Sequence, residues 1–398
     1  MTGLAPARLA RIAPLLTGFV ERGELPGAMA LVARGETVHV ATAGMQDIAS
    51  ATPMRRDTIF RIASMSKAIF AAAALTLVEE GRIALDDAVD RWLPELAGRR
   101  VLRAMDGPLD DTVPARRPIS LRDLLTLRFG LGMIMAPPGS TPLLAEIARL
   151  GLQPSASQIP FGADDYLARM AQLPLAHQPG ERWLYHTGYD VLAVLLARVA
   201  GKPLGELLAE RLFVPLGMAD TGFHVPVGKI GRLATAYGRT PDGALEASDE
   251  AAGYDAPPIF PSELVSTADD YLAFTRMLLA KGRGPTGRVL SRASVLLMMT
   301  DQITPEQKAI SPFFGDFWEN SGWGLGGSVA TRRHDIAANP GAYSWAGGFG
   351  TNFVTDPAEG LTAILMTQRM MQSADDTTPA RTLFTLAYAA IDDRGEDR

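Results

Sequence analysis

The sequence predicts a mixed α/β chain of the α+β type, with a central antiparallel sheet flanked by helices and a mainly helical segment inserted between the sheet's two halves. Three observations predict it. Residues 27–33 and 37–43 are short apolar runs on either side of Arg34-Gly35-Glu36, a hairpin signature near the start of the chain. Residues 350–355 and 361–367 form a second such pair around Asp356-Pro357-Ala358-Glu359-Gly360 near its end. Between them, from about Asp86 to Pro258, the apolar spacing is mostly helical. The expected organisation is therefore 1–82 with 260–398 for the sheet part and 83–259 for the helical insertion.

The elements follow in order. Residues 9–22 read as an amphipathic helix ahead of the first hairpin. Residues 57–63 read as extended, and 64–80 as a strongly apolar, alanine-rich helix that Gly81 terminates. Within the insertion, 121–127, 163–172, 189–200 and 204–212 have helical spacing, and the Pro-rich stretches 106–118 and 136–142 read as exposed loops. Residues 267–280 are a further helix with Thr267 as its N-cap, and 378–391 close the chain as a helix.

Composition narrows the function classes. The 398 residues are 47% hydrophobic and 21% charged, with a net charge of −6 and no long run of either sign. This disfavours a nucleic-acid surface or a polybasic membrane patch. The absence of cysteine excludes disulfides, thiol catalysis and cysteine metal sites. No stretch approaches the roughly 20 apolar residues of a membrane span, and residues 1–14 have no apolar signal-peptide core. The expectation is a cytoplasmic protein with no membrane or nucleic-acid partner.

Ser64-Met65-Ser66-Lys67 is the most informative string. Ser64 and Lys67, three residues apart at a helix start, share one face. In the first turn, free N–H groups and the positive dipole end favour developing negative charge. A nucleophilic serine needs a group to take its proton. None of His39, His177, His186, His224 and His334 lies in a G-x-S-x-G elbow, because the sequence has no such elbow, and none has H-E-x-x-H metal spacing.

Several segments carry a family resemblance. Residues 178–192 (Q-P-G-E-R-W-L-Y-H-T-G-Y-D-V-L) resemble the P-G-x-x-W-x-Y-S-N region of class C β-lactamases, family VIII carboxylesterases and penicillin-binding-protein-like serine hydrolases. Residues 119–126, 213–221, 264–270 and 350–357 resemble further stretches of the same family, and the likeness runs from about residue 10 to 391. The resemblance implies the β-lactamase/transpeptidase-like fold and a serine acyl-enzyme mechanism that uses no metal or organic cofactor. It makes Ser64 the nucleophile, Lys67 its partner and Tyr185 the general base. Trp345-Ala346-Gly347 stands where the family has K-T-G, and the backbone N–H groups of Ser64 and Gly348 form the implied oxyanion hole.

A free tyrosine titrates near about pH 10 and is a poor base at neutrality unless its phenolate is stabilised, as by an ammonium within about 4–6 Å. Lys67 is one source. His186, Arg61 and Arg128 are further cation candidates by motif proximity. In the alternative, Lys67 is itself the base and Tyr185 relays the proton.

Departures from the family pattern bear on the substrate. Trp345 replaces a lysine that anchors a β-lactam carboxylate, and Thr187 replaces the asparagine of Y-x-N, so both polar handles are gone. Trp345 offers a flat apolar wall that suits a neutral ester. His186, Ala346, Gly347, Phe129, Phe314 and Trp318 complete the expected substrate contacts, with Met133 and Met135 nearby. Residues 127–130 read L-R-F-G where relatives have H-T-S-G, and Pro261-Ser262-Glu263 stands where they often have Gly-Gly. The expectation is a serine carboxylesterase for small or medium neutral esters. The alternatives are an acyltransferase with the same site, a weak β-lactamase or D-amino-acid peptidase, and an inactive scaffold of the same fold.

Overall fold

The computed structural model describes residues 3–155, 158–248 and 253–392. Its centre is an eight-stranded antiparallel sheet. In chain order the strands are β1 (Gly27–Arg34), β2 (Thr37–Asp47) and β3 (Thr52–Pro53) from the N-terminal part. The C-terminal part supplies β6 (Ser321–Trp323), β7 (Ser328–Ala330), β8 (Tyr343–Ala346), β9 (Asn352–Asp356) and β10 (Leu361–Thr367), in the order β6-β7-β8-β9-β10-β1-β2-β3. A separate two-stranded pair joins β4 (Phe60–Ala63) to β5 (Leu264–Ser266).

β1 is buried on both faces, so its residues divide by period two. Ala28, Ala30 and Val32 point to one side, where helix α1 (Ile12–Glu21) and helix α6 (Thr378–Ala389) bring Leu16, Phe19 and Leu383. Met29, Leu31 and Ala33 point to the other, into the main core. That core surrounds helix α2 (Ser66–Glu79), buried at every position from Ser66 to Leu77. Its run of alanines suits a helix enclosed on all sides, because small side chains let neighbouring elements approach closely. Helix α5 (Ala268–Leu279) is capped by Thr267, whose hydroxyl accepts the Asp270 N–H at 3.2 Å, as the sequence predicts.

The middle of the chain contributes helix α3 (Leu121–Leu125) and helix α4 (Gly188–Ala200), the latter against α2. It also holds further helices, among them Pro142–Arg149 and Ala163–Ala171, and two small hairpins. One of these pairs Arg100–Leu102 with Thr112–Pro114, so the stretch expected to be only a loop over 106–118 contains a strand. Part of the middle segment lies against the sheet half: the Ala234 N–H donates to the Ile59 carbonyl at 2.9 Å and the Tyr237 N–H to the Gln368 carbonyl at 2.8 Å.

Two helix boundaries differ from expectation. The first helix is broken in two, Pro6–Leu9 and Ile12–Glu21. More consequentially, α2 begins at Ser66 and not at Ser64. Ser64 stands on a turn ahead of it, after Ala63, whose φ of +42° is unfavourable for a residue with a Cβ. The last strand residue turns sharply to present the serine, which a regular helical start would not do.

Candidate active site

Ser64 is buried on the short turn between the end of β4 and the start of α2. The Lys67 Nζ donates to Ser64 Oγ at 2.9 Å, and both side chains are buried. Lys67 also lies 5.1 Å from the centre of the Tyr185 ring and 5.9 Å from that of Tyr189. A buried ammonium is costly alone, and these aromatic faces, the serine oxygen and Asp190 are its compensation.

Tyr185 is held from both sides of its backbone. Its carbonyl accepts the Met133 N–H at 2.8 Å. A side chain at Gly132 would put a Cβ 2.6 Å from that same carbonyl oxygen, so only glycine permits the approach. His186, next in the chain, has φ +82°. Both proposed reactive side chains therefore adjoin a non-glycine residue with left-handed backbone, a strain of order 1–3 kcal/mol each that the surrounding packing sustains.

The structure corrects the reading of Trp345 as an apolar wall alone. Its indole Nε1–H donates to the Tyr185 hydroxyl oxygen at 2.6 Å. An indole N–H can only donate, so the tyrosine oxygen accepts, and such a bond favours the phenolate. The three other cation candidates do not serve that oxygen. Arg61 donates to the Ala234 carbonyl at 2.6 Å and lies 5.0 Å from the Tyr254 ring centre. Arg128 donates to Thr126 Oγ1 at 3.0 Å and to Gln307 Oε1 at 2.9 Å. Burial, with Lys67 nearby, pushes the His186 imidazole well below its ordinary range and keeps it neutral.

The rest of the expected set divides. Ala346 pairs with Asn352 at the end of β8, and Gly347 follows. A Cβ on Gly347 would lie 2.3 Å from the Ile62 carbonyl oxygen and 2.3 Å from Thr351 Oγ1, so the strand end presses directly onto β4. Gly348 is the residue that follows this contact. Among the described residues neither the Ser64 nor the Gly348 N–H has a protein acceptor, as an oxyanion hole requires. Phe314 packs on Phe313, with ring centres 4.7 Å apart, and Phe313 lies 5.8 Å from Tyr185 and 6.5 Å from Trp345. Trp318 donates to the Ser311 carbonyl at 2.6 Å and meets Trp183 edge-on at 5.1 Å. The 311–318 segment is thus an aromatic wall beside the tyrosine.

Phe129 is not part of it. It is fully buried in the core, near Gly188, where no substrate reaches it. Thr187 is also buried, at the N-terminus of α4. Met135 is exposed, while Met133 is half-buried behind Tyr185.

Sequence reading missed Asp190 and Glu263. Asp190 lies one helical turn after His186, with its Oδ2 3.6 Å from His186 Nε2 and accepting the Tyr166 hydroxyl at 3.2 Å. Burial pushes its carboxyl up to about 6 against the opposing pull of Lys67. The i, i+4 spacing of His186 and Asp190 was the available signal.

The fold is that of a serine hydrolase family, and the chain belongs to it: the family model described as Beta-lactamase matches residues 12–386. Protein Rv1367c of Mycobacterium tuberculosis (strain ATCC 25618 / H37Rv) is 40% identical over 371 residues, 90% of each chain. Esterase EstB of Burkholderia gladioli is 31% identical over 377 residues, 91% of each. Among solved structures, EstCE1, a hydrolase with promiscuous acyltransferase activity, is similar with a TM-score of 0.76 at 26% identity, over 96% of this chain and 98% of that one. Unliganded simvastatin synthase LovD of Aspergillus terreus (selenomethionyl derivative) has a TM-score of 0.77 at 24% identity over 96% and 98%, a likeness of fold. Among the described residues no helix is long and apolar enough to cross a membrane.

Proposed function

We propose that the protein is a serine esterase that acts on small to medium neutral carboxylic esters through an acyl-enzyme. The observation that carries this reading is the buried Lys67–Ser64 contact of 2.9 Å beside a tyrosine whose oxygen already accepts an indole N–H. Ser64 Oγ attacks the ester carbonyl carbon as its proton passes to Tyr185, with Lys67 Nζ bridging. The carbonyl oxygen becomes an oxyanion held by the Ser64 and Gly348 N–H groups. Collapse expels the alcohol oxygen, which takes the proton back from Tyr185. Water then repeats the sequence on the acyl-enzyme, releasing the acid and regenerating Ser64.

Neutral substrates are favoured because the group at Tyr185 is an uncharged indole, while Arg61 and Arg128 are turned to other partners. A carboxylate-bearing β-lactam finds no replacement for the lysine it would pair with. The names of EstB and EstCE1 support ester chemistry at such a site. The acyltransferase reading shares every residue and differs only in whether an alcohol or water attacks the acyl-enzyme. The promiscuous acyltransferase activity of EstCE1 favours testing it.

The test is initial rates on p-nitrophenyl acetate, butyrate and octanoate, with nitrocefin alongside, for wild type and Ser64→Ala, with and without a competing alcohol. Ester turnover lost in Ser64→Ala, with little nitrocefin hydrolysis, is the expected result. Strong nitrocefin turnover overturns the substrate argument. Absence of any Ser64-dependent reaction overturns the enzyme reading. Ester product formed from the alcohol selects the acyltransferase.

A further inference from the structure

Glu263 takes no part in the mechanism above, yet it adjoins the groups that do. Its chain neighbour Leu264 pairs with Ala63, the residue before the nucleophile. The Leu264 N–H donates to Ser66 Oγ at 2.9 Å, which ties the same strand to the start of α2. The Glu263 Oε2 is buried and has no hydrogen-bond partner. Two small cavities meet at its side chain. Tyr254 and Gln158 line one, and there Tyr254 Oη and Gln158 Nε2 are likewise buried without partners. His186, Asp190 and Tyr166 line the other together with Glu263.

The charged and titratable groups around it come from every neighbouring element. Lys67 belongs to α2, Asp190 to α4 and His186 to the turn before α4. Tyr166 comes from Ala163–Ala171, and Tyr254 from the chain leading to β5. Arg61 of β4 stands behind Tyr254, 5.0 Å from its ring centre. Burial and Asp190 disfavour the Glu263 carboxylate, Lys67 favours it, and the balance pushes the carboxyl up to about 8.

We propose that Glu263 is a positioning residue for the Lys67–Tyr185 pair, and that its ionisation opposes the proton loss by which that pair becomes able to activate Ser64. The proposal rests on the esterase reading of Ser64, Lys67 and Tyr185. While Glu263 is neutral, Asp190 alone offsets the Lys67 ammonium. Once Glu263 ionises, a second negative charge beside Lys67 holds the proton on the pair. The two titrations compete, so the pH at which Ser64 becomes reactive belongs to the whole cluster and not to one residue.

The test follows the rate at which a fluorophosphonate labels Ser64 as pH is varied, over the range in which circular dichroism shows the proteins folded. This probe needs an activated serine and no particular ester. In Glu263→Gln the midpoint of the rising limb moves down by on the order of one pH unit, the effect of one charge several ångströms away at an effective dielectric of about 20. Glu263→Asp keeps a carboxylate and retains the wild-type midpoint. Glu263→Gly is a second charge-free variant should glutamine disturb folding. Superimposed midpoints for wild type and the charge-free variants overturn the proposal, as does a lowered rate with no shift, which is a packing role. Failure of wild type to label at any pH overturns the esterase reading instead.

Discussion

Trp345→Phe separates two roles of one side chain. The substitution removes the N–H that reaches Tyr185 Oη at 2.6 Å and leaves an aromatic ring facing Trp323 and Tyr185, whose centres lie 4.6 and 5.3 Å away. The bond strengthens as the tyrosine oxygen gains negative charge. Hydrogen bonds to charged groups contribute about 1.5–3 kcal/mol, and about 1.4 kcal/mol is tenfold in rate. If the phenolate is the base, kcat/KM falls about 10- to 150-fold, mostly in kcat. The assay is initial rates on p-nitrophenyl butyrate across pH, with thermal melting to check that the aromatic cluster stays packed. A folded variant as active as wild type at every pH refutes the argument and leaves Trp345 as a wall only.

Other outcomes follow from the same geometry. Lys67→Met removes the group 2.9 Å from Ser64 Oγ and lowers kcat/KM by about 10²–10⁴, the usual range for losing a general acid–base partner. Gly347→Ala forces a methyl to 2.3 Å from the Ile62 carbonyl oxygen; it destabilises by about 1–3 kcal/mol, read as a lower urea midpoint, and disturbs the oxyanion donors together with the fold. Glu263 and Asp190 are both raised above their ordinary carboxyl values, to about 8 and about 6. The native state therefore binds more protons than the unfolded state between each pair of values, and stability falls as pH rises through them. Melting temperature is expected to drop between mildly acidic pH and about 8 in wild type and to drop less in Glu263→Gln; parallel curves for the two proteins refute that assignment.

The sequence by itself carried the architecture, because apolar runs and helical spacing are local patterns, and it carried the resemblance that nominates Ser64, Lys67 and Tyr185 as the reacting groups. Alternating apolar runs at the two ends specify strands of one sheet, and an alanine-rich stretch specifies an enclosed helix. Thr267 with the acidic turn after it specifies a capped helix start. The spacing of Ser64 and Lys67, and the likeness of the segment around Tyr185 to its family, point to acyl transfer on a serine. Only the tertiary structure decided how those groups are held. The sharp turn at Ala63 depends on β5 packing beside β4, which lies some 200 residues away in sequence. Whether Trp345 is a wall or a donor depends on one indole orientation. That neither Arg61 nor Arg128 turns to the tyrosine oxygen was decided by tertiary packing, because a long side chain's direction is set by its neighbours. Phe129 went to the core and Glu263 came to the site for the same reason. Proximity across strands that are distant in the chain creates burial and unpartnered charge, and those decide what a side chain can do.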